Sequence, residues 1–499
     1  MEESRKGTTT LAFEENGAEP TPPPFTVFTV RQRRWIVFLA AFSGMFSPMS
    51  SFIFYPAITS IARGLDVTVE LVNLAVTTYM VVSGIVPALL GTAADHYGRR
   101  PVYILALSVY LVANIGLACQ SSFPALLVLR MLQSAGSSGT ISLGYGVMAD
   151  ITTEEDRGSY IGILLVGPNV APPIGPILGG VVAAKLGWQW IFWILVILGG
   201  FCLALIVIAL PETSRAVVGN GSIPPHGIYR SLIPIGREQQ DSRKAEETLK
   251  KKRAAFFNPL ASLKILPSFR LSNVLLCNGI AYTVYCCIQA SLSSLFIDVY
   301  GYHDLEAGLI YIPFGVACLI STLLWGKILD REYVRAAQRH GITVDEAKSK
   351  TDPTFPLEVA RLRSSFALVG VASAATCGFG WAIQARTHVA VPLIMQVFVG
   401  FATTGLFVAL GALNTDLNTH QSSTASAAAN IVRCALAAAF LSILQIMIDH
   451  IGPGWCFTIF GLIMSLCGVS LYWQITVGYQ RRMREEVEGS GLVTGQPSS

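Results

Sequence analysis

Twelve apolar blocks, each close to the length of a membrane crossing, constrain this chain more than any other feature. They occupy residues 35–54, 71–90, 102–118, 123–148, 160–183 and 190–210, then 271–297, 307–325, 365–383, 389–413, 425–448 and 455–475. A helix rises about 1.5 Å per residue and needs roughly 20 apolar residues to cross about 30 Å of hydrocarbon. Composition agrees, since 52% of the 499 residues are hydrophobic and only 13% are charged, about half the charged share of a soluble domain. The expected fold is an all-α membrane protein of twelve transmembrane helices in two groups of six.

The expected domains are a disordered cytoplasmic tail (1–34), a first six-helix bundle (35–210), a cytoplasmic central loop (211–270), a second bundle (271–477) and a cytoplasmic tail (478–499). Lys and Arg near span ends stay on the cytoplasmic side. Arg31, Arg33, Arg34, Arg99, Arg100, Arg157, the run Lys250 to Arg253, Lys327, Arg331, Arg335, Arg339, Arg361, Arg363, Arg481, Arg482 and Arg484 fall on one side, against Arg63, Lys185 and Arg386 on the other. Both termini are therefore expected in the cytoplasm. The central loop reads as a solvated linker, with a basic helical patch at 242–252 as the alternative. The net charge of +4 follows from this topology and does not point to nucleic acid. Ten cysteines lie mostly inside spans without metal-ligand spacing; neither a metal nor a cofactor is expected.

Between the second and third spans the chain reads GTAADHYGRRP, from Gly91 to Pro101. It is expected to be a tight cytoplasmic turn, with Gly91 and Gly98 allowing close approach and Asp95 beside Arg99 and Arg100. After the eighth span, Gly326, Asp330 and Arg331 repeat the Gly-to-Asp spacing. Repeated halves are the build of many secondary transporters, which rock about a shared midplane site. An ion pair at the cytoplasmic seam of each half would act as a latch that stabilises the outward-open state.

Gly91, Asp95, Gly98, Arg99, Arg100 and Pro101 resemble the signature between spans two and three of the major facilitator superfamily. The resemblance implies two pseudo-symmetric six-helix bundles. GPNVAPPIGPILGG, residues 167–180, looks like the antiporter motif of the fungal twelve-span drug:proton antiporters. FPLEVARLR (355–363) and SSTASAAANIVRC (422–434) resemble the quinidine-resistance-like subgroup, which also contains citrate exporters. Proton antiport is an implication of this resemblance, because no Asp or Glu lies in the middle of any span; uniport stays open. In the fifth span, Gly167, Gly175, Gly179 and Gly180 admit close helix packing, while Pro168, Pro172, Pro173 and Pro176 delete backbone donors and bend the helix. That pattern suits a gate or a plain packing seam.

Arg130 lies about two turns inside the fourth span, where a charge costs a few kcal/mol and faces protein or a watery cavity. Two readings stand: it caps carbonyls of the first span, or it controls a proton relay or binds an anionic group. Gln133 shares its face, and Ser134 stands where the resembled motif commonly has glycine. Arg433, beside Asn430 in the eleventh span, either snorkels or joins Arg130 in one cavity suited to a carboxylate. Asn278, Tyr282, Tyr285 and Gln289 recur at helical spacing in the seventh span and, with Gln396 and Asn414 in the tenth, are candidate cavity residues.

The leading expectation is a plasma-membrane exporter of small organic molecules, drugs or secondary metabolites, working against protons in the lipid bilayer. An exporter of citrate-like polycarboxylates is the alternative, and on this reading the small-molecule partner is anionic. An enzyme is not expected, because the seven histidines sit in loops or at span ends with no nucleophile arranged around them. A non-transporting membrane sensor is the third reading, and export across a panel of compounds separates it from the first two.

Overall fold

The computed structural model describes residues 25–152, 154–233, 269–341, 355–417 and 422–478. The first 24 residues, the basic patch at 242–252 and the end of the C-terminal tail lie outside the described residues. Among those described, every regular element is helical. Ten helices are long and apolar enough to cross a membrane. One of these, Ala427–Thr476, is two spans, broken where Gly452 takes a φ of 79° ahead of Pro453. The fourth block stands apart from the ten as the helix Phe123–Ile151, whose buried face carries Arg130, Gln133, Ser134, Ser137 and Ser138. Twelve spans result, as the blocks imply.

The first span differs from the single helix expected. It runs as Val30–Gly44, Phe46–Phe52, a 3₁₀ turn at Tyr55–Ala57 and Ile58–Gly64. Pro48 and Pro56 each lack an N–H, so neither can bond the carbonyl four residues back and the helix breaks near each. Breaks of this kind leave carbonyls to be satisfied from elsewhere.

The expected turn at Gly91 is corrected to helix. The second span runs Val69–Tyr97 and the third starts at Arg99, so Gly98 alone, at φ 93° and ψ 159°, makes the turn. The supposed echo is corrected in the same sense. Gly326 and Arg331 lie inside Ile312–His340, which continues well past the apolar block that ends at Trp325; Asp330 is in the same helix, and its side chain lies outside the described residues. Past the membrane face water solvates the charges, and Lys, Arg, Glu and Ala are good helix formers.

Helix packing shows the two-fold build. The second span packs on the fourth and the third on the fourth and sixth; equivalently, the eighth (Asp304–Leu309 and Ile312–His340) packs on the tenth (Ala390–Leu417), and the ninth (Ser365–Gln384) on the tenth and on Ser422–Trp473. Between the halves, the second span meets the eleventh and the fifth (Glu154–Leu186) meets the eighth. These two contacts exchange when six is added to each span number, as a two-fold relation requires. Among the ten spans, burial is greatest in Val30–Gly64 and in the seventh, Ser272–Tyr300, at 78% and 83%. They are equivalents under that relation and sit at the centre of the molecule.

Candidate functional site

Three arrangements account for the sequence-predicted residues: a charged network where the second span turns into the third, a polar core inside the first half, and a stripe along the seam.

At the turn, Arg99 bonds Asp95 at 2.7 Å and Asp150, at the end of the fourth span, at 3.0 Å. Asp95 is 66% exposed, so its share is screened by water. Arg100 points elsewhere. Its guanidinium donates to the carbonyls of Ile206, Val207 and Leu210 at 2.7–2.8 Å and to those of Ile228 and Arg230. It thereby caps the C-terminal end of the sixth span (Gln189–Ala209), where a cation is favoured. Sequence reasoning missed Glu212, which is buried. Its carboxylate accepts from the backbone N–H groups of Arg99, Arg100, Thr213 and Ser214. A negative group is thus held at the N-terminus of the third span, and Gly98 is required beside it because a Cβ there would lie 2.6 Å from Glu212 Oε2. The start of the central stretch is therefore packed structure and departs from the expected solvated linker.

In the second half, among the described residues, the matching pair is Arg361–Asp416 at 2.8 Å, with Arg361 over the Tyr333 ring at 4.5 Å. It links the short helix Leu357–Leu362, ahead of the ninth span, to the end of the tenth. Those places correspond to Arg99 and Asp150, and Arg331 is exposed on the eighth helix instead.

Arg130 is fully buried. Its Nη1 donates to the Ser50 carbonyl at 3.0 Å and to Gln133 Oε1 at 2.6 Å. The guanidinium also lies over the rings of Phe54 and Tyr79, at 4.2 and 4.4 Å. The Ser50 carbonyl is available because the Phe46–Phe52 helix ends there. Gln133 passes the chain on to Asn114 Oδ1, while Tyr110 meets Ser50 Oγ and Tyr79 donates to the Ser47 carbonyl. Ser134 donates to the Tyr79 carbonyl, a bond that glycine would lack. All these partners belong to the first half, and Arg130 Nε and Nη2 are buried without a hydrogen-bond partner.

Arg433 stands at the seam. It lies over Tyr282 at 4.4 Å and donates to Asn430 Oδ1 at 2.7 Å, while Asn430 Nδ2 donates across the seam to the Ser83 carbonyl. Tyr282 stacks on Tyr285, and Tyr285 meets Phe52 of the first span edge-on at 5.8 Å. Of the seventh-span stripe Asn278, Tyr282, Tyr285 and Gln289, the two tyrosines thus meet the other half, Tyr282 at Met80 and Tyr285 at Phe52. Asn278 Oδ1, Gln289 Nε2 and Arg433 Nε are buried without a hydrogen-bond partner. Gln396 does a different job, as its Nε2 bonds the Ile310 carbonyl where the eighth span is interrupted. Asn414 is buried near the end of the tenth span.

The fifth-span motif packs as its small residues imply. A Cβ at Gly167 would lie 1.9 Å from the Ala41 carbonyl oxygen, at Gly175 3.0 Å from Phe52 Cβ, and at Gly179 2.1 Å from the Ile53 carbonyl oxygen. Pro168 fills the space beside Gly44, and Pro172 is half-buried. At the end remote from Gly98, Pro176 and Gly180 close on Gly308 of the eighth span, where a Cβ would be 2.7 Å from Gly180 Cα. Ser293 also donates to the Pro56 carbonyl there. Toward the opposite end, Gly162 and Gly326 have no neighbour within 4 Å of a Cβ and Gly91 has only Ser142 Oγ, at 3.9 Å.

Comparison with known proteins places these features in context. The family model described as Major Facilitator Superfamily matches residues 40–442. The MFS-type transporter phiD of a fungal species is 38% identical over 88% of this chain and 67% of its own length. Citrate exporter 1 of Aspergillus niger is 36% identical over 90% of this chain and 85% of its own. Among solved structures, a partially occluded inward-open form of the xylose transporter XylE from E. coli superposes with a TM-score of 0.60 at 14% identity, covering 88% of this chain and 98% of that one.

Proposed function

The chain belongs to the major facilitator superfamily and is a multi-pass membrane transporter, and from that premise we propose that it exports small organic molecules, drugs or secondary metabolites, by alternating access coupled to proton antiport at the plasma membrane. The observation that carries this reading is the seam. Tyr282 and Tyr285 meet the opposite half, and buried polar atoms of Asn278 and Gln289 on the same span and of Arg433 lack partners, as a site shaped for a partly polar ligand requires. In this scheme Arg99, Asp150 and Glu212 hold the first half rigid while the halves rock. Both termini are cytoplasmic in this reading.

Flux in liposomes tests it. Purified protein is expected to move members of a panel of amphipathic organic compounds, with flux driven by an imposed pH gradient and collapsed by a protonophore. Flux that ignores the gradient would point to uniport. Ligand binding without flux for any compound would leave the sensor reading in its place.

A second reading, export of a citrate-like polycarboxylate, is favoured by the Arg433 guanidinium at the seam and by the relative named as a citrate exporter. A guanidinium forks onto carboxylate oxygens. Loss of citrate efflux on Arg433→Gln with drug tolerance retained would select this reading; the reverse pattern would reject it.

A further inference from the structure

The long tail of the eighth span and the short helix Leu357–Leu362 enclose a cleft of about 340 Å³ that the transport scheme does not use. Arg335, Arg339 and His340 from the tail and Arg363 from the short helix line it, over a floor that includes Ala336 and Val359. Arg335 and Arg339 are four residues apart, so they project from one helix face. Arg361 turns the other way and is occupied by Asp416. By contrast Arg335, Arg339 and Arg363 are exposed and form no ion pair among the described residues. Among the described residues the single acid in the lining is Glu332, whose Oε2 is buried without a hydrogen-bond partner. Three guanidiniums against one carboxylate leave a positive cleft whose forks converge from two elements.

We propose that this cleft is a binding site for a phosphate-bearing anion. Guanidinium forks match phosphate oxygens in geometry as well as charge, and the volume lies in the range of small-ligand sites. Position identifies the favoured source. The last strongly exposed apolar residues of the helix are Leu323 and Leu324. Arg335 follows eleven residues later, roughly 16 Å along the axis, whereas the headgroup layer is only roughly 5–8 Å deep. A soluble phosphate compound reaches the cleft more readily than an ordinary lipid headgroup does. An occupant would tie the tail of the eighth span to the helix that carries Arg361. The site stands independently of which substrate crosses the seam.

The test uses full-length protein in phosphatidylcholine nanodiscs, titrated with inorganic pyrophosphate while thermal unfolding is followed. Pyrophosphate is expected to raise the unfolding temperature, with apparent affinity at least tenfold weaker in R335Q/R339Q/R363Q. It should be unchanged in the charge-matched control R31Q/R34Q/R230Q, all on exposed side chains. Arg363→Gln alone, at a helix end, gives a smaller loss in the same direction should the triple variant fail to fold. A parallel series in nanodiscs containing phosphatidylinositol 4,5-bisphosphate, without pyrophosphate, distinguishes the source: stabilisation there that is lost in the cleft variant, with no response to pyrophosphate, assigns the phosphate to a lipid. Equal losses in cleft and control variants, or no response to either probe, would overturn the proposal.

Discussion

A single buried cation shows how side-chain chemistry and a broken helix depend on each other. Arg130 costs a few kcal/mol to place in the membrane, and it is offset by two hydrogen bonds and two aromatic faces. Lysine keeps the charge but loses the planar fork and its stacking. Arg130→Lys is therefore expected to lower stability by about 2 kcal/mol, seen as a lower unfolding temperature in detergent; an unchanged midpoint would mean that charge alone suffices. Glu212 offers a second test. Its carboxylate serves four backbone donors, so Glu212→Ala should cost roughly 2–3 kcal/mol and Glu212→Gln about half as much, and equal losses would argue against a charge-assisted cap. The pairing of Arg130 with Gln133 was legible in the sequence because three residues on a helix share a face. Glu212 was not, since its partners lie more than a hundred positions away and a Glu after an apolar block is indistinguishable from the start of a solvated loop.

At the scale of elements, block length told where spans exist but not where they bend or stop. The first span's breaks follow from Pro48 and Pro56, whose consequence depends on side chains of the fourth and seventh spans that donate to the freed carbonyls. The eighth helix outran its apolar block because a change of solvent ends hydrophobicity without ending a helix. Glycine spacing in the fifth span was more reliable, since close backbone approach demands it whatever the surrounding fold. The prediction here is a contrast between two glycines of that one helix. Gly179→Ala places a methyl group 2.1 Å from a backbone oxygen and should cost at least about 2 kcal/mol, because backbone cannot move aside as a side chain does. Gly162→Ala, with nothing within 4 Å, should be neutral or stabilise by roughly 0.5–1 kcal/mol through helix propensity. Similar unfolding midpoints for the two would mean that the fifth span does not press on the first as described.

For the whole molecule, the useful feature is that two contacts between halves, Gly308 on Gly180 and Ser293 on Pro56, lie at the end remote from Gly98. A substitution that lengthens that contact without touching either half's interior should shift the balance between conformations and leave each bundle folded. Gly308→Ala does this, since its Cβ would sit 2.7 Å from Gly180 Cα. If relief of the clash is worth about 1.4 kcal/mol, the population of states open at that end rises about tenfold. Labelling of Ser293→Cys by a bulky thiol reagent reads this directly, with the parent's exposed Cys119 replaced in both backgrounds. Labelling is expected to quicken about tenfold with Gly308→Ala and to stay constant with Gly326→Ala, where the Cβ meets open space. Under rocking, the same Gly308→Ala change slows modification of a cysteine placed at Gly91, because opening one end closes the other. A rise at Ser293 with no fall at Gly91 would mean the ends move independently, and two rigid halves turning about the Tyr282–Arg433 seam would then be the wrong picture of this molecule.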